Sequence, residues 1–436
     1  IARAYRVLGG NGAPKASAHD LAVNLGHSND APATERNDIV SESDNTLVRL
    51  VHSIIEEAIA QGASDIHIET EPAPRHVRVR LRIDGNLRPY LDLQARFRFA
   101  LVARIKIMAT LDISEHRKPQ DGKIDFSRFG GPKVELRVAT IPTHQGLEDV
   151  VLRVLASQKP LPLDGIGLSR DNLAQLRAAV RHSYGLILVC GPTGSGKTTT
   201  LYSLLQHDAT PDKNYVTIED PVEYYLDMAG QVLVREKIGL TFPSVLRALL
   251  RQDPDVIMLG EIRDFETAEV AFHAALTGHL VYSTLHTNSA VATIARLFDL
   301  GLKPYVVASA LEGIIAQRLV RQVCPKCREA VAADPALRRR LGGDYAGIQQ
   351  TFRGRGCTDC HGTGYKGRVA LYEVLTMDDE LRDCIGSGAS VLEIRRKVRG
   401  KGLRGIGQHG LEKVQAGITT LDEILRVLGP QAEESS

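Results

Sequence analysis

Tryptophan is absent from the 436-residue chain, and tyrosine and phenylalanine bring the aromatic share to only 5%. A channel that grips single-stranded nucleic acid by stacking bases needs aromatic rings interleaved with clustered cations. The low aromatic share and the overall balance of 54 Lys and Arg against 52 Asp and Glu argue against such a channel. With a net charge of +2 no global field draws polyanions or an acidic membrane to the chain, so any such contact must be local. No apolar run reaches the roughly 18 residues of a membrane-spanning helix, and no charged-then-apolar secretory pattern opens the sequence, so a cytoplasmic location is expected. Six cysteines are too few for a disulfide scaffold. What is there, 43% apolar and 24% charged residues, suits a globular protein of two or three domains.

The chain begins at Ile1 rather than Met, which suggests an upstream segment. From Gly9 to Asn37 the residues are Gly, Ala, Pro, Ser, Asn and Asp without apolar periodicity, so residues 1–40 read as a linker after the remnant of an earlier domain. Order is expected from about Asp44, where Leu47, Leu50, Val51, Ile54, Ile55, Ala58 and Ile59 recur at helical spacing before Gly62. HVRVRLRIDG then alternates strictly, with Val77, Val79, Leu81 and Ile83 on one face and Arg78, Arg80 and Arg82 on the other, before an Asp-Gly hairpin turn. KVELRVAT and DVVLRVL complete a small α+β domain over 41–157. Past the linker KPLPLDGIGLS, the apolar runs LILVC, YVTIE, DVIMLG and LVYSTL alternate with helical patterns, which predicts a parallel sheet within residues 158–436. Beyond residue 320 the strands are expected to give way to a cysteine-bearing subdomain, about 320–372, and to helices over 373–430.

Gly191-Pro192-Thr193-Gly194-Ser195-Gly196-Lys197-Thr198-Thr199 follows LILVC directly and opens a helical stretch. This G-x-x-x-x-G-K-[ST] pattern in that context is a phosphate-binding loop. Glycines let backbone N–H groups approach phosphate oxygens, the helix N-terminus adds positive potential, Lys197 neutralises β/γ oxygens, and the Thr198 hydroxyl suits Mg2+. Acidic residues at the carboxyl ends of neighbouring strands are where an attacking water is oriented, which singles out Glu219, Asp220 and Glu223 after YVTI and Glu261 after DVIMLG; Asp255 opens the latter run. Which of Glu219 and Glu261 is the general base stays open. His286, at the end of STLH, is a further candidate to touch the γ-phosphate.

Cys324-Pro-Lys-Cys327 and Cys357-Thr-Asp-Cys360 form two C-x-x-C knuckles separated by 29 residues, long enough for a helical insert. Four thiolates favour tetrahedral, structural Zn2+ with no open position, against a redox pair or free thiols.

Taken together these stretches resemble the secretion ATPase superfamily of type II secretion and type IV pilus assembly. GPTGSGKT is similar to its Walker A, TIEDPVEY to its Asp box, LLRQDPDVIMLGEIRD to its Walker B region and GHLVYSTLHTN to its His box. SDIHIE, RLRIDG, PQDGKI and LRVATIP resemble its second N-terminal domain, and GYKGRVALYEVL follows the cysteine pairs as in the secretion and pilus-extension branch. The resemblance implies a RecA-like P-loop ATPase core preceded by a small α+β domain, with a zinc-binding subdomain and a helical C-terminal region. It further implies a homo-hexamer that hydrolyses MgATP at the inner face of the bacterial inner membrane and passes motion to membrane platform proteins to assemble a pseudopilus. Pilus extension is the alternative within the family, and a hexameric nucleic-acid translocase is the rival outside it. Arg137 in ELRVAT and Arg153 in VVLRVL match the family's arginines that reach nucleotide held by another subunit, with Arg82 aligned to RLRIDG.

Overall fold

A computed structural model describes residues 17–27, 42–71, 76–155, 161–207 and 209–430, and the chain divides into two compact units, Ile1–Gln158 and Lys159–Ser436. In the first unit the helix Glu42–Ala60 buries Leu47, Leu50, Val51, Ile54, Ile55 and Ala58, the apolar stripe that its spacing predicts. It covers one face of an antiparallel sheet built from β1 (Ala63–Thr70), β2 (Val77–Ile83), β3 (Asn86–Leu93), β4 (Gln120–Asp125), β5 (Glu135–Pro142) and β6 (Glu148–Leu155), in the order β3-β2-β1-β6-β5-β4. The helix Arg98–Met108 packs on the same core. Asp84 and Gly85 turn β2 into β3 with φ of 50° and 83°, the left-handed pair that an Asp-Gly hairpin demands.

One expectation fails in this unit. Within the stretch Gly9–Asn37, read as linker, Ala18–His27 is a helix whose Ala18, Leu21 and Leu25 are buried in the first unit's core. Those positions follow i, i+3 and i+7 spacing on one face, a three-point pattern easily lost among small and polar neighbours. Residues 9–16 and 28–37 of that stretch lie outside the described residues.

The second unit is a seven-stranded sheet. Its strands are β7 (Gly185–Cys190), β8 (Tyr215–Glu219), β9 (Ala229–Leu233), β10 (Val256–Leu259), β11 (Leu280–Leu285), β12 (Leu311–Val323) and, past a small module, β15 (Tyr365–Thr376). The order is β15-β12-β7-β11-β10-β8-β9, parallel throughout except for β15, which runs antiparallel on the edge of β12. Alternate residues of β7 enter two different cores, Leu186, Leu188 and Cys190 on one side and Ile187 and Val189 on the other. A strand covered on both faces is apolar without alternation, so its periodicity is silent while its composition is loud.

The four predicted parallel strands are found where LILVC, YVTIE, DVIMLG and LVYSTL lie. Strands do not give way at residue 320, however. β12 continues to Val323 and β15 reaches Thr376, so helices begin at Asp379 rather than 373, with Asp379–Gly386, Val391–Gly400, Ile406–Gln415 and Leu421–Leu428. Between β12 and β15 sits the module of β13 (Arg328–Ala332), helix Pro335–Leu341 and β14 (Gln350–Gly354), so the insert between the knuckles is a strand, a helix and a strand.

Candidate nucleotide and metal sites

β7 ends at Cys190, and the chain turns back over Gly191–Gly196 before the helix Lys197–His207. Gly191, at φ 156°, abuts β12 so closely that a Cβ there would lie 2.6 Å from the Gln317 carbonyl oxygen and 2.5 Å from Ser195 Oγ. Only glycine fits. Lys197 Nζ donates to the carbonyls of Gly191 at 2.9 Å and Pro192 at 3.2 Å, which folds the lysine over the loop. Burial draws the Lys197 ammonium below the ordinary lysine range, and nearby Glu261 opposes that shift. Thr198 and Thr199 follow in the first helical turn, half-buried.

Glu261 stands just past β10, beside the end of β11. Its Oε2 lies 3.2 Å from His286 Nε2 and its other oxygen pairs with Arg263. Burial pushes this carboxyl upward, but the Arg263 guanidinium and the His286 ring outweigh it and hold it below the usual glutamate range. The structure therefore gathers Lys197, Glu261 and His286 at the carboxyl ends of β7, β10 and β11. Glu219 is placed differently. It is 2% exposed at the end of β8, where it accepts from Tyr202, from Thr217 Oγ1 at 2.5 Å and from Gln231 Nε2 at 3.0 Å. A carboxylate so engaged braces the loop's helix against β8 through Tyr202. Asp255 lies at the opposite, amino end of β10, accepting from the Asn214 backbone at 2.6 Å.

Three residues that sequence reasoning passed over complete the surroundings. Gln317 of β12 donates from Nε2 to the Ser195 carbonyl at 2.5 Å and accepts from Thr200 Oγ1 at 2.8 Å. Arg318 donates to the Gln317 carbonyl at 2.9 Å and to Asn288 Oδ1 at 2.8 Å, which ties the loop after His286 to β12. Glu373 of β15 accepts from the Ala290 N–H at 2.7 Å, holding the helix Ala290–Asp299 that begins there. The signal available was a polar Gln-Arg pair interrupting LEGIIAQRLV.

In the first unit the register of the sheet lines up a row of side chains. Asp65 pairs with Arg82 on one side and Arg153 on the other, Arg153 with Arg137, and Arg137 with Lys123. Their neighbours Ile66, Leu81, Leu136, Leu152 and Ile124 face the core, so the row occupies the opposite face. Asp65 takes Arg153 Nε at 2.9 Å and lies 3.6 Å from Arg82 Nε. Among the described residues no carboxylate pairs with Arg137. Lys123 pairs with Glu135 at 2.6 Å, so in this row of four cations Asp65 holds Arg153 and Glu135 holds Lys123, and Arg137 between them is left to meet an anion.

The cysteines converge from both ends of the small module. Cys324 Sγ lies 3.9 Å from Cys357 Sγ, Cys327 Sγ 3.9 Å from Cys360 Sγ, and Cys357 Sγ 3.7 Å from Cys360 Sγ, all four within 4.8 Å. A tetrahedron with Zn–S bonds of about 2.3 Å has S–S edges of about 3.8 Å, so the spacing fits zinc. Backbone N–H groups of Cys357 and Gly364 donate to Cys360 Sγ at 3.2 Å, as a thiolate requires. Lys326 and Lys366 flank the cluster and both pair with Asp359.

Residues 40–426 match the model of the family described as Type II/IV secretion system protein. The chain is 46% identical over 418 residues to type II secretion system protein E of Pseudomonas aeruginosa, covering 94% of this chain and 82% of that one. It is 48% identical over 380 residues to the type IV pilus assembly ATPase PilB of Thermus thermophilus, covering 86% of this chain and 42% of that one. Among solved structures it is similar to the pilus retraction motor PilT with bound ADP, at 29% identity and TM-score 0.59 over 86% of this chain and 96% of that one. The fold is shared with the ATPase DotB of Legionella pneumophila, at 23% identity and TM-score 0.64 over 89% and 96% of the two chains.

Proposed function

The chain belongs to the Type II/IV secretion system protein family, and from that premise we propose that it is an ATP-hydrolysing motor that drives pseudopilus assembly in type II secretion. The observation that carries the chemistry is the Glu261 carboxylate, held ionised between Arg263 and His286 beside the lysine of a phosphate-binding loop. In this reading the loop N–H groups and Lys197 bind the β- and γ-phosphates, and Glu261 orients the attacking water. The Thr198 hydroxyl would hold Mg2+, which would neutralise charge developing on the phosphates. His286, bonded to Glu261, links that carboxylate to the segment that Arg318 anchors. Glu219 acts as the buried brace described above rather than as the base. Zinc would be held by Cys324, Cys327, Cys357 and Cys360, where it supplies cross-linking alone because every position is filled.

The row of Arg82, Arg153 and Arg137 is proposed to close over nucleotide held by another copy of the chain in a homo-hexamer. Guanidinium forks are suited to charge on a transferring phosphoryl group. The motor would work at the cytoplasmic face of the inner membrane against platform proteins; among the described residues no helix is long and apolar enough to cross a membrane. A second reading, type IV pilus extension, is favoured by the similarity to PilB. Inactivating Lys197 in the source cell separates the two: retained exoproteins with normal surface pili support secretion, and loss of pili with normal export supports extension. Purified chain that fails to hydrolyse MgATP under any condition of assembly would overturn both.

A further inference from the structure

A phosphate-binding loop works only if its peptide planes are turned so that N–H groups face the ligand. Each plane must be held by whatever grips its carbonyl. The Ser195 carbonyl is gripped by Gln317, whose side chain is 1% exposed in the middle of β12. Because a trans peptide sets C=O and N–H on opposite sides, fixing the Ser195 oxygen toward β12 turns the Gly196 N–H away from β12. The amide cannot be reversed at no cost, since its Oε1, which accepts from Thr200, itself 1% exposed, would then face the Ser195 carbonyl oxygen, which can only accept. The loop closes on this one residue from three directions: a Cβ on Gly191 would meet the Gln317 carbonyl at 2.6 Å, a Cβ on Gly196 would meet Gln317 Nε2 at 3.1 Å, and Ser195 O accepts from Nε2 at 2.5 Å. Arg318 then ties the Gln317 carbonyl to Asn288, two residues past His286.

We propose that Gln317 is a positioning residue for the phosphate loop, setting the Ser195-Gly196 peptide so that the Gly196 N–H binds phosphate. The inference rests on reading Gly191–Thr198 as the nucleotide site. It differs from a packing role in one respect: loss of Gln317 must weaken nucleotides in proportion to the phosphates seated in the loop. A general loosening of the core would weaken all of them alike.

The test uses the full chain and compares Kd for ADP and AMP by displacement of a fluorescent ADP analogue. In Gln317→Leu, which keeps the volume and removes both polar atoms, the ratio of the AMP Kd to the ADP Kd is expected to fall about tenfold, the order of one lost hydrogen bond to a charged oxygen. Gln317→Glu should fall further, because a carboxylate facing the Ser195 carbonyl repels it. Thr200→Val should give a smaller fall, since it frees the amide without removing it. Melting temperature and zinc content report whether each variant is folded, and the Thr200 variant serves if the Gln317 variants do not fold. Equal weakening of ADP and AMP, or an unchanged ratio in folded Gln317→Leu and in Thr200→Val, would overturn the proposal. Lys197→Ala keeps the two readings apart: if it leaves ADP affinity unchanged the site assignment itself falls, and if it abolishes ADP binding while the Gln317 ratio stays put, only the role of Gln317 falls.

Discussion

Burial alone would push the Glu261 carboxyl upward, and the Arg263 and His286 side chains beside it reverse that shift. A carboxyl whose pKa is depressed stays ionised at neutral pH, and its capacity to orient a water is lost only as the pH falls through the depressed value. Arg263→Ala removes the strongest of the lowering contacts, so the acid limb of the kcat profile should move to higher pH while turnover at pH 8 changes far less. An acid limb that stays in place would show that another group governs it. Glu261→Gln keeps the shape and removes the charge, and kcat should drop by about 100-fold or more with little change in ATP affinity, read by single-turnover hydrolysis and equilibrium binding. Lys197→Ala acts on different atoms. It removes the cation proposed to neutralise the β- and γ-phosphates, so both binding and turnover should fall steeply without loss of fold, measured by nucleotide titration and circular dichroism.

At the scale of elements, β12 matters most, because one 13-residue strand carries Gln317 and Arg318 beside the phosphate loop and ends directly before Cys324. Its partner β15 begins one residue after Gly364, whose N–H donates to Cys360. The four thiols therefore close the far end of the β12–β15 ribbon. Cys324→Ser should release the zinc and loosen the small module and the end of the ribbon, with faster proteolysis between Val323 and Tyr365 than in the rest of the second unit. Elemental analysis that finds no zinc in protein purified without chelator would remove the claim. The same elements show what was legible beforehand. The glycine-rich turn between β7 and its helix, the cysteine cluster and the four parallel strands announce themselves locally, through glycine spacing, Cys-x-x-Cys and short apolar runs bounded by turns. β12 and β15 did not, because LEGIIAQRLVRQV mixes apolar and polar residues with neither period, and the strand exists through pairing with β7 on one side and β15 on the other. The Gln317 contact is invisible for the same reason: it joins residues 122 positions apart. The helix Ala18–His27 escaped because ten residues carry too few apolar positions to stand out until a core is there to receive them.

Assembly of several copies bears on the row of cations in the first unit. Arg137 sits between Arg153 and Lys123 in the register of β4, β5 and β6, and among the described residues it has no carboxylate partner. Its neighbours are each held by a carboxylate, Arg153 by Asp65 and Lys123 by Glu135, so Arg137 is the member of the row left to meet an external anion such as a polyphosphate. If the row completes a site on a neighbouring copy, Arg137→Ala should cut turnover at saturating ATP by on the order of 1000-fold, as arginines supplied to a transferring phosphoryl group do elsewhere, with a much smaller effect on binding. Turnover should also rise with protein concentration, since an isolated chain would bind ATP without the group that finishes the site. A solvated strand-face arginine predicts instead a stability change within about 0.5 kcal/mol and nearly unchanged kcat. Mixing decides the matter. Arg137→Ala and Lys197→Ala chains should each be nearly inactive alone, yet in mixed assemblies a shared site would let some interfaces join the intact row of one to the intact loop of the other, so activity should return and peak near equal proportions. Recovery at no mixing ratio, together with turnover independent of concentration, would leave the row without a partner site and the motor without its shared chemistry.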